Sequence, residues 1–90
     1  MVKTIIFDTW NINLTDNYER NRSFIECTVS WIYDLLHIRG YLYLTDIYDR
    51  LGAVWNPHEN NSCILYEEPS PLVLSWKHLE GNDFKITICY

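Results

Sequence analysis

The chain has 90 residues, of which 48% are apolar and 16% aromatic, and its formal net charge is −5. This length predicts one domain, so we expect residues 1–90 to form a single compact unit. The excess of carboxylates argues against direct nucleic-acid binding, because affinity for phosphates comes largely from Lys and Arg. Apolar runs are also much shorter than the roughly 20 residues that a membrane-spanning helix needs.

The cysteines indicate an intracellular setting. Cys27, Cys63 and Cys89 are widely spaced, odd in number and without a CxxC pair, which argues against a disulfide framework. The first residues are charged too early for a signal peptide. We therefore expect a cytoplasmic protein with reduced thiols.

The N-terminal segment 2–10 predicts a β-strand. Its continuous apolar run at 5–7 is typical of a strand that is buried on both faces. Residues 15–17, Thr-Asp-Asn, then offer three candidate N-caps for a helix.

A long helix from Tyr18 to Arg39 is the clearest prediction. Its apolar face should pack against a sheet; that face consists of Ile25, Val29, Ile32 and Leu36, widened by a row of Phe24, Cys27, Trp31, Leu35 and Ile38. Asn21 is among the polar residues expected to lie off this face. Gly40 suits the left-handed position that ends a helix.

The segment 41–52 predicts a short β run followed by a short helix. Residues 41–44 are expected to form one or two β-bridges. Thr45 should cap the helix, with Asp46 and Asp49 in its first turn, where carboxylates favour the helix dipole. Gly52 should end it, and three residues should point inward: Ile47, Tyr48 and Leu51.

The remaining segments predict a three-stranded antiparallel meander, packed with one face on the long helix. The strands are 63–67, 72–79 and 84–90, with a break at 69–71 where Pro cannot join a ladder. Trp55 should anchor the preceding loop. The fold class is therefore α+β: an N-terminal strand, one long helix, one short helix and a C-terminal meander.

The register of the last two strands follows from their apolar faces. A connecting loop with an odd number of residues unites these faces, whereas an even one mixes them. We expect the odd loop, with Trp76 opposite Ile88 and Leu74 opposite Tyr90. The helix should then contact Leu74, Trp76, Ile86 and Ile88.

Catalytic and metal-binding motifs are weak. The permitted zinc ligands lack the usual paired spacing; they are Cys27, His37, His58, Cys63, His78 and Cys89. Cys63 with His58 or His78 could form a thiolate pair, but no nucleophile elbow accompanies it, so a buried structural thiol is favoured. The pairs Asp46 with Asp49 and Glu67 with Glu68 are better explained as dipole partners and as a solvated strand end. We predict a non-enzymatic protein without metal or cofactor.

Aromatic residues give the most informative functional signal. Seven Tyr and four Trp exceed what the core of this domain can bury, and both types are enriched in protein interfaces. The outward side of segment 39–52 is the candidate protein-binding surface: Tyr41, Tyr43, Asp46, Asp49 and Arg50. A homodimer would follow if strand 2–10 or the strand ending at Tyr90 lies on a sheet edge.

The stretch 39–52, Arg-Gly-Tyr-Leu-Tyr-Leu-Thr-Asp-Ile-Tyr-Asp-Arg-Leu-Gly, with the aromatic strand 72–79, resembles a motif in small uncharacterised proteins of bacteriophages and mobile elements. There an aromatic run leads into a short helix and then into β-strands. The resemblance covers about the second half of the chain. It implies a phage-type accessory protein, located in the host cytoplasm, without known catalytic residues.

Two functions follow as hypotheses. The first is a protein-binding module, an acidic inhibitor of a host defence protein or other nucleic-acid-binding protein, as anti-CRISPR proteins are. Its partner would be a host protein with a basic surface. The alternative is a small DNA-binding regulator of the winged-helix type, suggested by the order of helices and C-terminal hairpin.

Overall fold

In the computed structural model, which describes residues 1–67 and 72–90, the chain is an α+β protein with antiparallel strands. Its elements are β1 (Val2–Phe7), α1 (Tyr18–Arg39), β2 (Tyr41–Tyr43), α2 (Leu44–Leu51), β3 (Cys63–Leu65), β4 (Val73–His78) and β5 (Phe84–Cys89). The predicted α+β class and order of elements are confirmed. Among the described residues, neither helix has the length and apolar character needed to cross a membrane. The predicted break at 69–71 lies outside the described residues.

The strands form two sheets, so the predicted C-terminal meander is wrong. The large sheet has the order β1-β5-β4, and the small sheet pairs β2 with β3. β3 joins β2 because both present a buried residue at the pair Leu42–Ile64, with exposed residues on either side. β1 takes the vacant place beside β5, where Ile5 lies opposite Ile86 and Phe7 opposite Phe84.

The hairpin between β4 and β5 confirms the odd loop but not the predicted partners. Trp76 lies opposite Ile86 and Leu74 opposite Ile88, two residues from the expected pairs. The loop is closed by the Leu79 N–H, which donates to the Asp83 carbonyl at 2.9 Å. This bond centres the turn one residue nearer the N-terminus than the predicted pairing requires.

Helix α1 covers one face of the large sheet, as predicted. The ring of Tyr18 stacks on Phe84 at 5.5 Å, and Phe24 stacks on Phe7 at 5.6 Å. The four main apolar residues of the helix are buried: Ile25, Val29, Ile32 and Leu36. Trp76 was expected in this contact, but it remains 36% exposed because it lies on β4, an edge strand of the sheet.

The rest of α1 differs from the predicted amphipathic pattern. Cys27, Trp31 and Ile38 are exposed, because the covered face is narrower than the two rows of apolar residues. Asn21, expected to lie off the packed face, is completely buried. The N-cap is Asn17, whose side chain accepts from the Arg20 N–H, and Gly40 ends the helix with φ of 82°.

Strand β1 is shorter and more exposed than the sequence predicts. It ends at Phe7, and Ile6 is 47% exposed because the outer face of the large sheet is uncovered. The prediction of a strand buried on both faces is therefore wrong. β1 lies at an edge of the large sheet, whereas the strand that leads to Tyr90 is central.

Helix α2 begins one residue before the predicted cap. Tyr43 is the N-cap residue, and its N–H donates to the Asp46 carboxylate at 2.9 Å. Thr45 lies inside the helix, where its N–H donates to the side chain of Asn61 at 3.1 Å. Thr45 was expected to be the cap, but a residue from a distant loop supplies the acceptor instead.

The C-terminal end of α2 is held by the loop after β1. The Asn11 amide donates to the Leu51 carbonyl at 2.7 Å, and Gly52 ends the helix with φ of 74°. Trp55 packs edge-on against Tyr48 at 4.9 Å, which confirms its role as an anchor. Burial raises the pKa of Tyr48 above its ordinary value.

Candidate protein-binding surface

Strand β2 and helix α2 together present the five predicted surface residues. Because side chains alternate along a strand, burial of Leu42 leaves Tyr41 and Tyr43 40% and 41% exposed. Asp49 and Arg50 are exposed on the outer side of α2, and Asp46 is half-buried in its first turn. The five residues predicted from the sequence therefore lie in one contiguous region of the surface. Contacts between their side chains connect them.

Arg39 connects the two tyrosines to α2. Its guanidinium carbon lies 4.4 Å from the centre of the Tyr41 ring, and its Nη2 lies 3.8 Å from the Asp46 carboxylate. That carboxylate also accepts from the Tyr43 N–H. The rings of Tyr41 and Tyr43 meet edge to face, 6.0 Å apart. These contacts restrict both aromatic side chains without removing them from solvent.

A second aromatic group lies across the groove between α1 and α2. The guanidinium carbon of Arg50 lies 3.6 Å from the centre of the Trp31 ring, a cation–π contact. The groove has a volume of about 380 Å³ and is lined by Trp31, Leu35, Arg39, Asp46, Asp49 and Arg50. It joins the Trp31 group to the tyrosines through Arg39 and Asp46.

The small sheet extends this region. Leu65 lies opposite Tyr41 and Cys63 opposite Tyr43, and both are exposed on the same face. We define the aromatic surface as Trp31, Leu35, Arg39, Tyr41, Tyr43, Asp46, Asp49, Arg50, Cys63 and Leu65. Reasoning from the sequence missed Trp31, which was assigned to the core, and Leu65, which was placed in another sheet.

The aromatic surface is suited to binding another protein. Its charges balance, with Asp46 and Asp49 against Arg39 and Arg50. Tyr, Trp and Arg are the residue types that most often anchor protein interfaces, and fixed aromatic rings lose little entropy when they are covered. The groove supplies a concave site next to the protruding rings.

The residues considered for catalysis are not assembled. Cys63 is exposed on the small sheet, so the predicted buried thiol is wrong; the reason is that β3 covers the core only through Ile64. His78 lies elsewhere, on β4 of the large sheet. Its ring packs on Tyr18 of α1 and on Phe84 of β5, and one ring nitrogen lies 2.7 Å from the Gly81 carbonyl oxygen.

Metal ligands do not converge in the described parts of the chain, where His, Cys, Asp and Glu form no group of three or more suited to an ion. Cys27 and Cys63 are exposed and unpaired, and Cys89 is half-buried. Of the pair Glu67 and Glu68, the second lies outside the described residues.

The winged-helix interpretation requires a recognition helix after α2. The segment 53–62 instead contains turns and irregular chain in that place. Comparisons of this chain with models of protein families, with curated proteins and with solved structures found no match.

Proposed function

We propose that the protein is a non-enzymatic binding module that attaches to another protein through the aromatic surface. The observation that carries this proposal is the exposure of Trp31, Tyr41 and Tyr43 beside two guanidinium groups stacked on aromatic rings. Isolated exposed apolar residues are ordinary, but a contiguous group with charged neighbours is typical of an interaction site.

The test measures binding after truncation of the anchors. Tyr41→Ala and Arg50→Ala should each weaken capture of a partner from host lysate, identified by mass spectrometry and then measured with purified components. Central anchors usually contribute about 2 kcal/mol or more, so each variant should raise the Kd roughly thirtyfold.

Trp10→Ala is the matched control, because Trp10 is 92% exposed and lies outside the aromatic surface. This variant should bind as the parent does. If Trp10→Ala weakens binding as strongly as Tyr41→Ala, or if the two aromatic-surface variants keep the parent affinity, the assignment of the surface is wrong.

We further propose a partner with a basic surface, such as a nucleic-acid-binding host protein, for a phage-type inhibitor that acts in the host cytoplasm. The support is the net charge of −5. Within the described residues only three carboxylates are in ion pairs, those of Glu26, Asp46 and Glu59. Since the aromatic surface itself is balanced, this charge would act by steering association over a longer range.

Salt dependence and competition separate this partner from other candidates. The association rate should fall as salt rises from low ionic strength, and duplex DNA should compete with the protein for its partner. An association rate that does not change with salt contradicts the basic partner while leaving the aromatic surface intact. A direct shift of DNA by the protein alone would favour the winged-helix alternative.

A further inference from the structure

Within residues 1–67 and 72–90, strand β1 has three residues whose backbone groups bond to no other strand, at the edge of the large sheet. Met1 and Tyr90 lie opposite each other and are joined twice: the Met1 ammonium donates to the Tyr90 carbonyl oxygen at 2.6 Å, and the Tyr90 N–H donates to the Met1 carbonyl at 3.0 Å. Since such pairs alternate along an antiparallel ladder, Lys3, Ile5 and Phe7 bond to β5. The N–H and C=O groups of alternate residues therefore face away from β5; these residues are Val2, Thr4 and Ile6.

The opposite edge of the same sheet is covered by helix α1 at Leu74. By the same alternation, Leu74 on β4 points its N–H away from β5, and this N–H donates to the hydroxyl of Tyr33 at 2.7 Å. Helix α1 thus occupies a position where another strand would need to bond. β2 and β3 have only three residues each, which gives an incoming strand few ladder positions.

β1 has few of the features that normally prevent edge pairing. Natural edge strands carry Pro, bulges or several charges, whereas β1 is regular over six residues and has one charge, Lys3. A groove of about 320 Å³ runs along this edge, with Thr4, Ile5 and Ile6 among its lining residues. Two strongly exposed apolar side chains flank it, Trp10 at 92% and Val54 at 89%.

We propose that β1 pairs with β1 of a second copy of this chain, antiparallel and about a two-fold axis at Thr4. In this register Thr4 lies opposite Thr4 of the second copy, and Val2 lies opposite Ile6. No other two-fold register pairs all three of these residues, Val2, Thr4 and Ile6, with the same three residues of the second copy. Val2 and Ile6, 63% and 47% exposed, then form apolar cross-strand pairs.

The register also separates the lysines. Lys3 lies opposite Ile5 of the second copy, so its ion pair with Glu59, at 3.4 Å, is retained in each chain. Because each copy carries a net charge of −5, the measurements belong at physiological ionic strength, where the repulsion is screened within about 8 Å.

A charge exchange at residue 4 tests the register. The parent should sediment as a dimer, whereas Thr4→Lys and Thr4→Glu should each dissociate roughly tenfold or more readily, because like charges face each other across the axis. An equimolar mixture of the two variants should restore a dimer of one copy of each. Ser75→Lys is the matched control, since Ser75 and Thr4 both lie opposite Thr87, on the two sides of β5; it should dimerise as the parent does.

Amide hydrogen exchange gives an independent measurement. In the dimer the amides of Val2, Thr4 and Ile6 should be protected, and dilution should expose them while those of Lys3, Ile5 and Phe7 stay protected. A parent that remains monomeric overturns the proposal. So does a mixture of the charge variants that fails to associate, or a Ser75→Lys variant as weak as Thr4→Lys. Tyr41→Ala should leave the dimer intact, which separates this contact from the aromatic surface.

Discussion

Asn21 shows how a single polar residue can hold several segments together. Its side-chain oxygen accepts from the N–H and the hydroxyl of Thr15, both at 2.8 Å, and its amide donates to the carbonyls of Thr15 and Asn82 at 3.0 and 3.2 Å. The residue is completely buried, and its bonds join α1 to the preceding loop and to the β4–β5 hairpin. Helical periodicity placed it on the polar side, because periodicity cannot detect polar partners that arrive from other segments.

Replacement of Asn21 by Ala should therefore destabilise the protein by about 2–4 kcal/mol, since several backbone groups lose their partner in a partly buried place. Asn17→Ala is the control. Asn17 lies four residues away, on the exposed side, and caps one N–H, so its loss should cost about 1 kcal/mol. Urea unfolding measures both variants. Equal destabilisation by the two substitutions would show that the Asn21 network contributes nothing beyond a helix cap.

The two helices end at glycines that have the same conformation but different surroundings. Gly40 has φ of 82° and open space where a Cβ would lie, whereas a Cβ on Gly52, at φ of 74°, would overlap the Asn13 amide and lie 3.0 Å from Asn11 Oδ1. The left-handed conformation alone costs a non-glycine residue about 1–2 kcal/mol. The difference between the two sites is therefore one of packing.

Gly40→Ala should destabilise by about 1–2 kcal/mol, and Gly52→Ala by about 1 kcal/mol more, because the Asn13 amide must leave the Leu51 carbonyl. That bond is 3.4 Å long. The double variant Asn13→Ala with Gly52→Ala removes the overlap, so its cost should be less than the sum of the single costs. Thermal or urea unfolding provides the comparison; a strictly additive pair would refute the packing explanation.

Elements were easier to predict than their pairing. Tyr18–Arg39 and the helix that ends at Gly52 follow from local signals, namely apolar periodicity, an Asn cap and two glycines. The pairing of β3 with β2 depends on which strands share a buried face across the chain, and adjacent strands were favoured instead. For the aromatic surface, the surplus of aromatic residues and the outward side of segment 39–52 pointed to Tyr41 and Tyr43. Trp31 could not be assigned to the surface without knowing which side of α1 faces the core. Leu65 could not be assigned without knowing that β3 pairs with β2.

Across the whole molecule, charge is distributed unevenly between the two faces of the large sheet. The outer face carries Lys77 directly opposite Lys85, and its strand positions hold no Asp or Glu. In the described residues, all Asp and Glu side chains lie in helices or in segments between the strands. The two proposed contacts use different parts of the molecule: the aromatic surface would meet a foreign partner, and the edge of β1 would meet a second copy.

The hydroxyl of Tyr33 has a consequence for the size of the assembly. In the proposed dimer, pairing stops at two copies, because the isologous contact between the β1 strands uses the edge of the large sheet that stays open among the described residues. Tyr33→Phe removes the acceptor of the Leu74 N–H on β4, so a strand could then bond there as well, and chains could add at both edges of the sheet. We expect this variant to form large, polydisperse species by light scattering, which Tyr41→Phe does not form. The double variant Tyr33→Phe with Thr4→Lys should form smaller species than Tyr33→Phe alone. If the particles of Tyr33→Phe have the same size as those of the parent, the hydroxyl does not limit association. If they are larger, the loss of one oxygen atom converts a closed pair into an open-ended assembly.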